Sequence, residues 1–204
     1  MNIVFDIGNV LLNWDPRVLY RKIFASEDEV EWFLGTVCTS AWNLEQDRGR
    51  SFEEAIAEAT ARHPDHAEAI AAYHHRWHET LTHPIAGTVT ILEELKAQGT
   101  PLYAITNWHH DKFRETKARY AFLGHFRDIV VSGDEKVVKP DPAIYRLLLE
   151  RNGLEAGRCL FIDDSPKNVA GAEAVGMSGH HFTTPEALRQ RLAAAGLIRR
   201  RQTP

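Results

Sequence analysis

Four short polar clusters contain the residues whose types could carry out chemistry. In chain order they are Asp6-Ile7-Gly8-Asn9-Val10, Thr106-Asn107, Lys139-Pro140-Asp141-Pro142 and Asp163-Asp164-Ser165. A carboxylate can act as a nucleophile or hold a hard cation, and a lysine supplies a fixed positive charge against a developing anion. Any one cluster alone is a weak signal. Each of them follows a short apolar run, however, and that shared placement makes them one candidate site.

The apolar runs that precede the clusters are predicted to be buried strands, at residues 3–5, 102–105, 129–131 and 160–162. Longer segments of helical periodicity lie between them. This alternation predicts an α/β fold, a Rossmann-like parallel sheet core with helices on both faces. Ligands of such sheets bind beyond the carboxyl ends of the strands, so we expect the four clusters to meet at that edge.

The hydrophobic pattern of the sequence changes in the segment after the first strand. For about seventy residues helical periodicity replaces β-branched runs, and Ser26 with Glu29 has the spacing of a capping box. We therefore predict an inserted helical-bundle cap. The predicted division is an α/β core of residues 1–15 and 86–204 and a helical cap of residues 16–85.

Composition excludes several other classes of function. The chain has 204 residues, 44% of them hydrophobic, and a formal charge of −4, which gives no electrostatic reason to bind nucleic acid or an anionic membrane. Its two cysteines, Cys38 and Cys159, lack metal-ligand spacing. No apolar run approaches the roughly 20 residues that span a bilayer, and no basic leader opens the sequence, so the expected location is the cytoplasm.

The four clusters resemble the motifs of the haloacid dehalogenase superfamily, which consists mostly of phosphatases. The segments Phe-Asp-Ile-Gly-Asn-Val-Leu, Ile-Thr-Asn-Trp, Val-Lys-Pro-Asp-Pro and Phe-Ile-Asp-Asp-Ser occur in the order of the family motifs. The resemblance covers nearly the whole chain, including the helical insertion. The wording of the first motif is similar to that of sugar-phosphate phosphatases with Asp-x-Gly-Asn-Val, which implies a Mg²⁺-dependent enzyme acting on a small phosphorylated metabolite.

The resemblance implies catalytic roles for Asp6, Thr106 and Lys139. Asp6 matches the nucleophile that accepts the phosphoryl group as an aspartyl-phosphate. Thr106 matches the residue whose hydroxyl binds a phosphoryl oxygen, and Lys139 matches the positive charge that stabilises the transferring group. Asn107 is expected to orient the substrate or the turn.

The resemblance also implies a metal site and a phosphate-binding turn. Mg²⁺ would be held by Asp6, the backbone carbonyl of Gly8 and Asp164, with Asp163 as a further ligand or supporting neighbour. Gly8 and Asn9 would form the turn whose N–H groups face the phosphate oxygens.

The sequence departs from the family pattern at Gly8. Most phosphatases of the superfamily have a second aspartate at this position, which protonates the leaving group and activates water. Acid–base assistance of that kind is worth about 10²–10⁴-fold, so its loss predicts a slower enzyme that prefers good leaving groups, such as the anomeric oxygen of a sugar 1-phosphate. His109 and His110 are candidate substitute proton donors.

The cap is expected to close over the site and to choose the substrate. Trp14 follows the first motif and is predicted to line the entrance. A polar turn between two cap helices supplies the other candidates, namely Trp42, Asn43, Asp47, Arg48 and Gly49, with helix capping and packing as the competing explanation.

Two other functions are compatible with the same motifs. Haloacid dehalogenases also lack the second aspartate and use the same nucleophile without a metal, although the adjacent Asp163 and Asp164 favour a cation. A catalytically weak binding or regulatory protein could keep the same fold. The protein is expected to be a monomer or a homodimer.

Overall fold

A five-stranded parallel sheet forms the centre of the molecule. The computed structural model describes residues 1–199, so the last five residues of the predicted core lie outside the described part. The strands are β1 (Asn2–Phe5), β2 (Leu12–Trp14), β3 (Leu81–Pro84), β4 (Leu102–Thr106), β5 (Asp128–Val131), β6 (Cys159–Asp163) and β7 (Ser178–His181). The sheet has the order β5-β4-β1-β6-β7, which places β1 between its neighbours at the centre.

Helices cover both faces of this sheet and also fill the segment between β2 and β3. They are α1 (Arg17–Tyr20), α2 (Glu27–Thr36), α3 (Ser40–Asp47), α4 (Phe52–Arg62), α5 (Ala67–His75), α6 (Ala86–Ala97), α7 (His110–Arg119), α8 (Ser132–Glu135), α9 (Pro142–Asn152), α10 (Pro166–Glu173) and α11 (Pro185–Ala194). Within residues 1–199, none of them combines the length and the hydropathy that crossing a bilayer requires.

The central strands are buried on both faces because their sequences are apolar at nearly every position. Ile3 and Phe5 of β1 point to one side and join a core with α6 and α11. Val4 points to the other side and joins a second core that includes Ile144 and Leu148 of α9. A run that is hydrophobic on both faces is typical of a parallel strand between two helical layers. The predicted α/β class and all four predicted strands are confirmed.

The helical segment between β2 and β3 has its own aromatic core. Tyr20 lies 4.6 Å from Phe33 and 6.3 Å from Tyr73 between ring centroids, and its hydroxyl donates to the carbonyl of Ala69. The capping box expected at the start of α2 is present, with Ser26 and Glu29 bonded reciprocally. The strands β2 and β3 pair antiparallel at the two ends of this segment.

Three features of the fold were not foreseen from the sequence. The first is the ribbon of β2 and β3, whose strands are too short to give a clear pattern in the sequence. The second is the edge strand β7, whose sequence Ser-Gly-His-His lacks the β-branched residues that are typical of a strand. The third is a missing helix cap. Ser165 occupies the cap position of α10, but its side chain accepts no capping hydrogen bond among the described residues, whereas Thr184 caps α11 by accepting the Ala187 N–H.

Candidate active site

Asp6 lies directly after β1, at the carboxyl edge of the centre of the sheet. Its backbone N–H donates to the carbonyl of Ile162 in the neighbouring strand at 2.8 Å. Its carboxylate oxygen Oδ1 accepts the N–H of Ile7 at 2.7 Å. The side chain is therefore fixed by the strand that precedes it and by the turn that follows it.

Lys139 joins the first cluster to the last. Its Nζ atom lies 2.8 Å from Asp6 Oδ1 and 2.6 Å from Asp163 Oδ2, and the residue is 2% exposed. The ammonium group also lies 5.5 Å from the centre of the Phe161 ring. Burying a lysine is costly unless its charge is paired, and here two carboxylates pair with it. Lys139 is therefore part of the site and not a surface lysine.

Asn107 positions Lys139 through the backbone. Its Oδ1 atom accepts the Lys139 N–H at 2.8 Å, and its Nδ2 atom donates to the Lys139 carbonyl at 3.1 Å. The peptide bond between Lys139 and Pro140 is cis. Thr106, the last residue of β4, is buried beside this clamp. The residue after one strand thus fixes the lysine that follows another.

The two adjacent aspartates at the end of β6 have different surroundings. The Asp163 carboxylate is fully buried and accepts bonds from Lys139, from the Ser165 N–H at 2.8 Å and from Asn168 Nδ2 at 3.0 Å. Asp164 is only half-buried. Carboxylate oxygens of Asp6, Asp163 and Asp164 all lie within 4.8 Å of one another.

The electrostatics of the cluster follow from its burial. Burial raises the pKa of Asp6, Lys139 opposes this rise, and the negative charges of Asp163 and Asp164 add to it. Burial and the adjacent Asp163 also raise the pKa of Asp164. Burial alone would lower the pKa of Lys139, but Asp163 and Asp6 outweigh it, so the pKa of Lys139 lies above its usual value.

The turn after Asp6 is shaped by Asn9. This residue has φ of 53°, its N–H donates to the Leu12 carbonyl, and its Oδ1 atom accepts the Trp14 N–H at 3.0 Å. The Asn9 N–H is therefore already bonded within the turn, contrary to the expectation that it faces phosphate. Gly8 leaves open space beside the turn, since a Cβ atom there would meet no atom of residues 1–199 within 4 Å.

A pocket of about 70 Å³ opens over Gly8. The core contributes Gly8, Trp14, Asn107 and Trp108, and the helical segment between β2 and β3 contributes Asn43, Asp47 and Trp77. The rings of Trp77 and Trp108 lie 5.3 Å apart. The pocket thus has aromatic walls and a few polar groups, as small-molecule sites usually have.

The structure places several of the expected entrance residues elsewhere. Trp42 packs edge-on against Tyr73 at 5.1 Å and is absent from the lining of the pocket, as is the exposed Arg48, which faces Glu45 at 3.8 Å. His109 is also outside this lining. Its ring stacks on His110 at 4.2 Å, and its Nδ1 atom accepts the Asp111 N–H at the start of α7.

Two tryptophans of the pocket were missed by the sequence analysis. Trp77 lies in the helical segment that is predicted as the cap, where an apolar side chain is expected in the core, and it is 6% exposed while also facing the pocket. Trp108 directly follows Asn107, so its position next to a motif was the available signal. Asp47, named only as one of several candidates in a polar turn, lines the pocket as well.

Comparison with known families decides the identity of the fold. A family model of haloacid dehalogenase-like hydrolases matches residues 1–176 of this chain. The chain belongs to this family. The four clusters recognised in the sequence and the sheet that unites them are therefore those of a haloacid dehalogenase-like hydrolase.

Several curated relatives of this hydrolase are phosphatases. It is 28% identical over 180 residues to a sesquiterpene phosphatase of Aspergillus oryzae, with 88% of each chain covered. It is 30% identical over 132 residues to a phosphoserine phosphatase of Thermus thermophilus, of which it spans only 52% of the length. The family match and these relatives together support a phosphoric monoester hydrolase.

Solved structures share the fold at low sequence identity. A family enzyme of Bacteroides thetaiotaomicron in complex with magnesium and inorganic phosphate is 21% identical, with a TM-score of 0.66 over 90% of this chain and 94% of that one. The L-2-haloacid dehalogenase of Xanthobacter autotrophicus is 17% identical, with a TM-score of 0.65 over 97% of this chain and 84% of that one.

Proposed function

We propose that the protein is a Mg²⁺-dependent phosphatase of small phosphate esters, with Asp6 as its nucleophile. The observation that carries the proposal is the buried Lys139, held between Asp6 and Asp163 at 2.8 Å and 2.6 Å. A fixed cation against the nucleophile suits a substrate that arrives as an anion, because stabilising negative charge is most of phosphoryl-transfer catalysis.

The reaction would proceed in two displacements. A carboxylate oxygen of Asp6 forms a bond to phosphorus while the bond from phosphorus to the leaving oxygen breaks. Water then forms a bond to phosphorus while the bond to Asp6 breaks, which restores the carboxylate and releases inorganic phosphate. Thr106 and Lys139 would bind the phosphoryl oxygens during both steps, and Asn107 would hold Lys139 in place.

The acidic cluster suits a hard divalent cation. Three carboxylates with oxygens within 4.8 Å repel one another, and hard oxygen donors are the ligands that Mg²⁺ prefers. Asp6, Asp164 and the Gly8 carbonyl would hold the ion, because the Asp163 carboxylate is already bonded to Lys139, Ser165 and Asn168. When bound, Mg²⁺ supplies positive charge against the phosphoryl oxygens.

The helical segment of residues 16–85 would act as the cap that excludes water and selects the substrate. It contributes three of the residues that line the pocket over Gly8. The small volume of that pocket favours a small leaving group, and the three tryptophans around it favour one with an apolar face. Sugar phosphates are compatible with such walls, since the axial faces of a sugar ring are apolar.

A phosphate-release screen tests the proposal. Wild-type protein and the Asp6→Asn variant are assayed with p-nitrophenyl phosphate, sugar 1-phosphates, sugar 6-phosphates and nucleotides. Release that disappears with EDTA, returns with Mg²⁺ and is lost in Asp6→Asn is the expected result. Release that persists in Asp6→Asn or in EDTA would refute the nucleophile or the metal, respectively.

Dehalogenation is the alternative to exclude, because the fold is shared with a haloacid dehalogenase. A single turnover in ¹⁸O-labelled water separates the two. Attack of water on phosphorus places the label in inorganic phosphate, whereas hydrolysis of a carbon ester at the Asp6 carbonyl places it in Asp6. Halide release from 2-chloropropionate with labelled Asp6 would replace the phosphatase proposal.

A further inference from the structure

The pocket over Gly8 contains one side chain that can exchange a proton. Among the described residues that line it, glycine, two asparagines and three tryptophans cannot serve as acid or base near neutral pH, and the remaining residue is Asp47. The leaving oxygen of a phosphate ester must acquire a proton when its bond to phosphorus breaks. Asp47 is therefore the candidate for supplying that proton from the cap side of the pocket.

Asp47 is held by both parts of the molecule. It is the last residue of α3, and its carbonyl accepts the hydroxyl proton of Ser132 at 2.6 Å. The same Ser132 hydroxyl oxygen accepts the N–H of Trp108 at 2.9 Å, which connects Asp47 to the loop after β4. In the cap, Asn43 Nδ2 donates to Asp47 Oδ2 at 3.0 Å. The carboxyl group is thus fixed at the edge of the pocket.

The surroundings of Asp47 favour a carboxyl group that exchanges protons near neutral pH. Burial raises its pKa to about 7, and the His109 N–H and the charge of Lys139 limit the rise. Tyr73 faces it from α5, and Asp47 contributes to raising the pKa of that phenol, so the tyrosine stays neutral. A carboxyl group in this state can both donate and accept a proton.

We propose that Asp47 is the general acid and base of the reaction, acting from the cap across the pocket that it lines together with Gly8. The proposal rests on the phosphatase function proposed above. Gly8 itself offers no side-chain proton, and none of the described residues has an atom within 4 Å of where its Cβ would be. The group lost from the nucleophile turn is replaced by one on a different element.

The proton inventory of the two steps then closes. When Asp6 attacks phosphorus, the proton of the Asp47 carboxyl group passes to the leaving oxygen, which departs as a neutral alcohol. When water attacks the phosphorus of phosphorylated Asp6, the Asp47 carboxylate takes one water proton. Inorganic phosphate leaves, Asp6 is again a carboxylate and Asp47 is again protonated.

A consequence concerns the choice of substrate. The absence of an acid at Gly8 predicts a preference for good leaving groups, as in a sugar 1-phosphate. With Asp47 as donor, that preference no longer follows from Gly8, and esters of ordinary alcohols become accessible substrates.

The test compares two leaving groups in Asp47→Asn. The variant keeps the size and the acceptor oxygen of the side chain but has no proton to donate. With glycerol phosphate, whose leaving alkoxide needs a proton, kcat/KM is expected to fall about 10²–10³-fold. With p-nitrophenyl phosphate, whose leaving group needs none, kcat/KM is expected to change less than about 5-fold.

A second readout follows the second step. Because Asp47→Asn cannot activate water, p-nitrophenol is expected to appear in a burst of one equivalent per enzyme, followed by slow turnover. Asp65→Asn removes an exposed carboxylate from the cap outside the pocket and is the matched control, with unchanged kinetics expected. Partial unfolding of a variant lowers kcat/KM for both substrates by the same factor. The ratio of the two kcat/KM values therefore still reports the chemistry.

Three results would overturn the inference or its basis. Equal losses of kcat/KM with both substrates and no burst assign Asp47 a structural role only. Unchanged kinetics in Asp47→Asn exclude any role. Absence of phosphate release by the wild-type protein overturns the phosphatase proposal itself, and this inference with it.

Discussion

At the scale of single residues, the site is dominated by one cation among three carboxylates. Lys139 contacts Asp6 and Asp163, and its side chain is almost completely buried. Removing one partner of a buried ion pair leaves the other charge uncompensated, which costs far more than losing a surface pair. Lys139 therefore stabilises the fold in addition to the role proposed for it in catalysis.

Lys139→Met is expected to lower the free energy of unfolding by about 3–5 kcal/mol and to abolish phosphate release. Urea denaturation measures the first effect. Lys167→Met, at an exposed lysine on α10, is the control and should change stability by less than about 0.5 kcal/mol. A Lys139 variant as stable as this control would contradict the buried position of the ammonium group.

Asp47→Asn is expected to be more stable than the wild-type protein at high pH. Burial raises the pKa of Asp47 in the folded protein to about 7 from its ordinary value of 3.8, so the folded protein binds its proton more tightly than the unfolded chain. Because the folded protein loses this tighter proton binding as pH rises from about 4 to about 7, the free energy of unfolding of the wild-type protein declines over that range. Urea denaturation at several pH values should show the difference between the two proteins growing with pH, and a constant difference would refute it.

The residues of the site were only partly predictable. Asp6, Lys139, Asp163 and Asp164 follow strands in recognisable motifs, and the structure brings their side chains together. The positions of Trp42 and Arg48 outside the pocket could not be predicted, because the sequence of a polar turn between helices does not reveal which of its side chains point inward.

At the scale of elements, the start of α11 offers a matched comparison with the start of α10. Both helices have proline at the first position, but Thr184 makes a capping hydrogen bond whereas the Ser165 side chain makes none among the described residues. The stability contributed by a cap depends on that bond and not on the residue type alone.

Thr184→Ala is accordingly expected to lower the free energy of unfolding by about 1 kcal/mol, and Ser165→Ala by only a few tenths. Urea denaturation of both variants at one pH measures the contrast. Equal losses would mean that the capping geometry does not control these two helix ends.

At Gly49 the backbone that follows α3 approaches the backbone of α8 closely. The φ of Gly49 is +102°, and a Cβ atom there would lie 2.9 Å from the carbonyl oxygen of Gly133. Because Gly49 follows Asp47 by two residues, strain at this position would displace the carboxyl group from the pocket. Left-handed backbone at a non-glycine residue costs about 1–3 kcal/mol.

Gly49→Ala is therefore expected to lose about 1–3 kcal/mol of stability and at least tenfold in kcat/KM with glycerol phosphate. Gly157→Ala is the control, since a Cβ atom there would have no neighbour within 4 Å in the described part of the chain. Thermal unfolding and steady-state kinetics of the two variants test this prediction. If the two variants do not differ, the close approach at Gly49 affects neither stability nor catalysis.

The strands were more predictable than the ribbon or the sheet edge. The central strands have continuous apolar sequences because both faces are buried, and such runs are visible in the sequence. Within residues 1–199 the edge strand β7 pairs with one strand, β6, and its sequence carries little β signal. Its pairing depends on the strand beside it, which is tertiary information.

At the scale of the whole molecule, two parts of the chain contribute different groups to the proposed chemistry. The sheet edge carries Asp6, Thr106, Lys139 and the acidic pair, and the helical segment brings Asp47 to the pocket over Gly8. The proposed phosphatase accordingly needs both parts, one for the nucleophile and its charges and one for the proton.

The most direct measurement of the central claim is the detection of phosphorylated Asp6. The protein is mixed with p-nitrophenyl phosphate and Mg²⁺, quenched in acid during turnover, and its peptides are analysed by mass spectrometry. The account predicts the mass of one phosphoryl group on the peptide from the N-terminus, located at Asp6 and more abundant in Asp47→Asn. Continued phosphate release with a phosphoryl group on another residue, or on none, would contradict it.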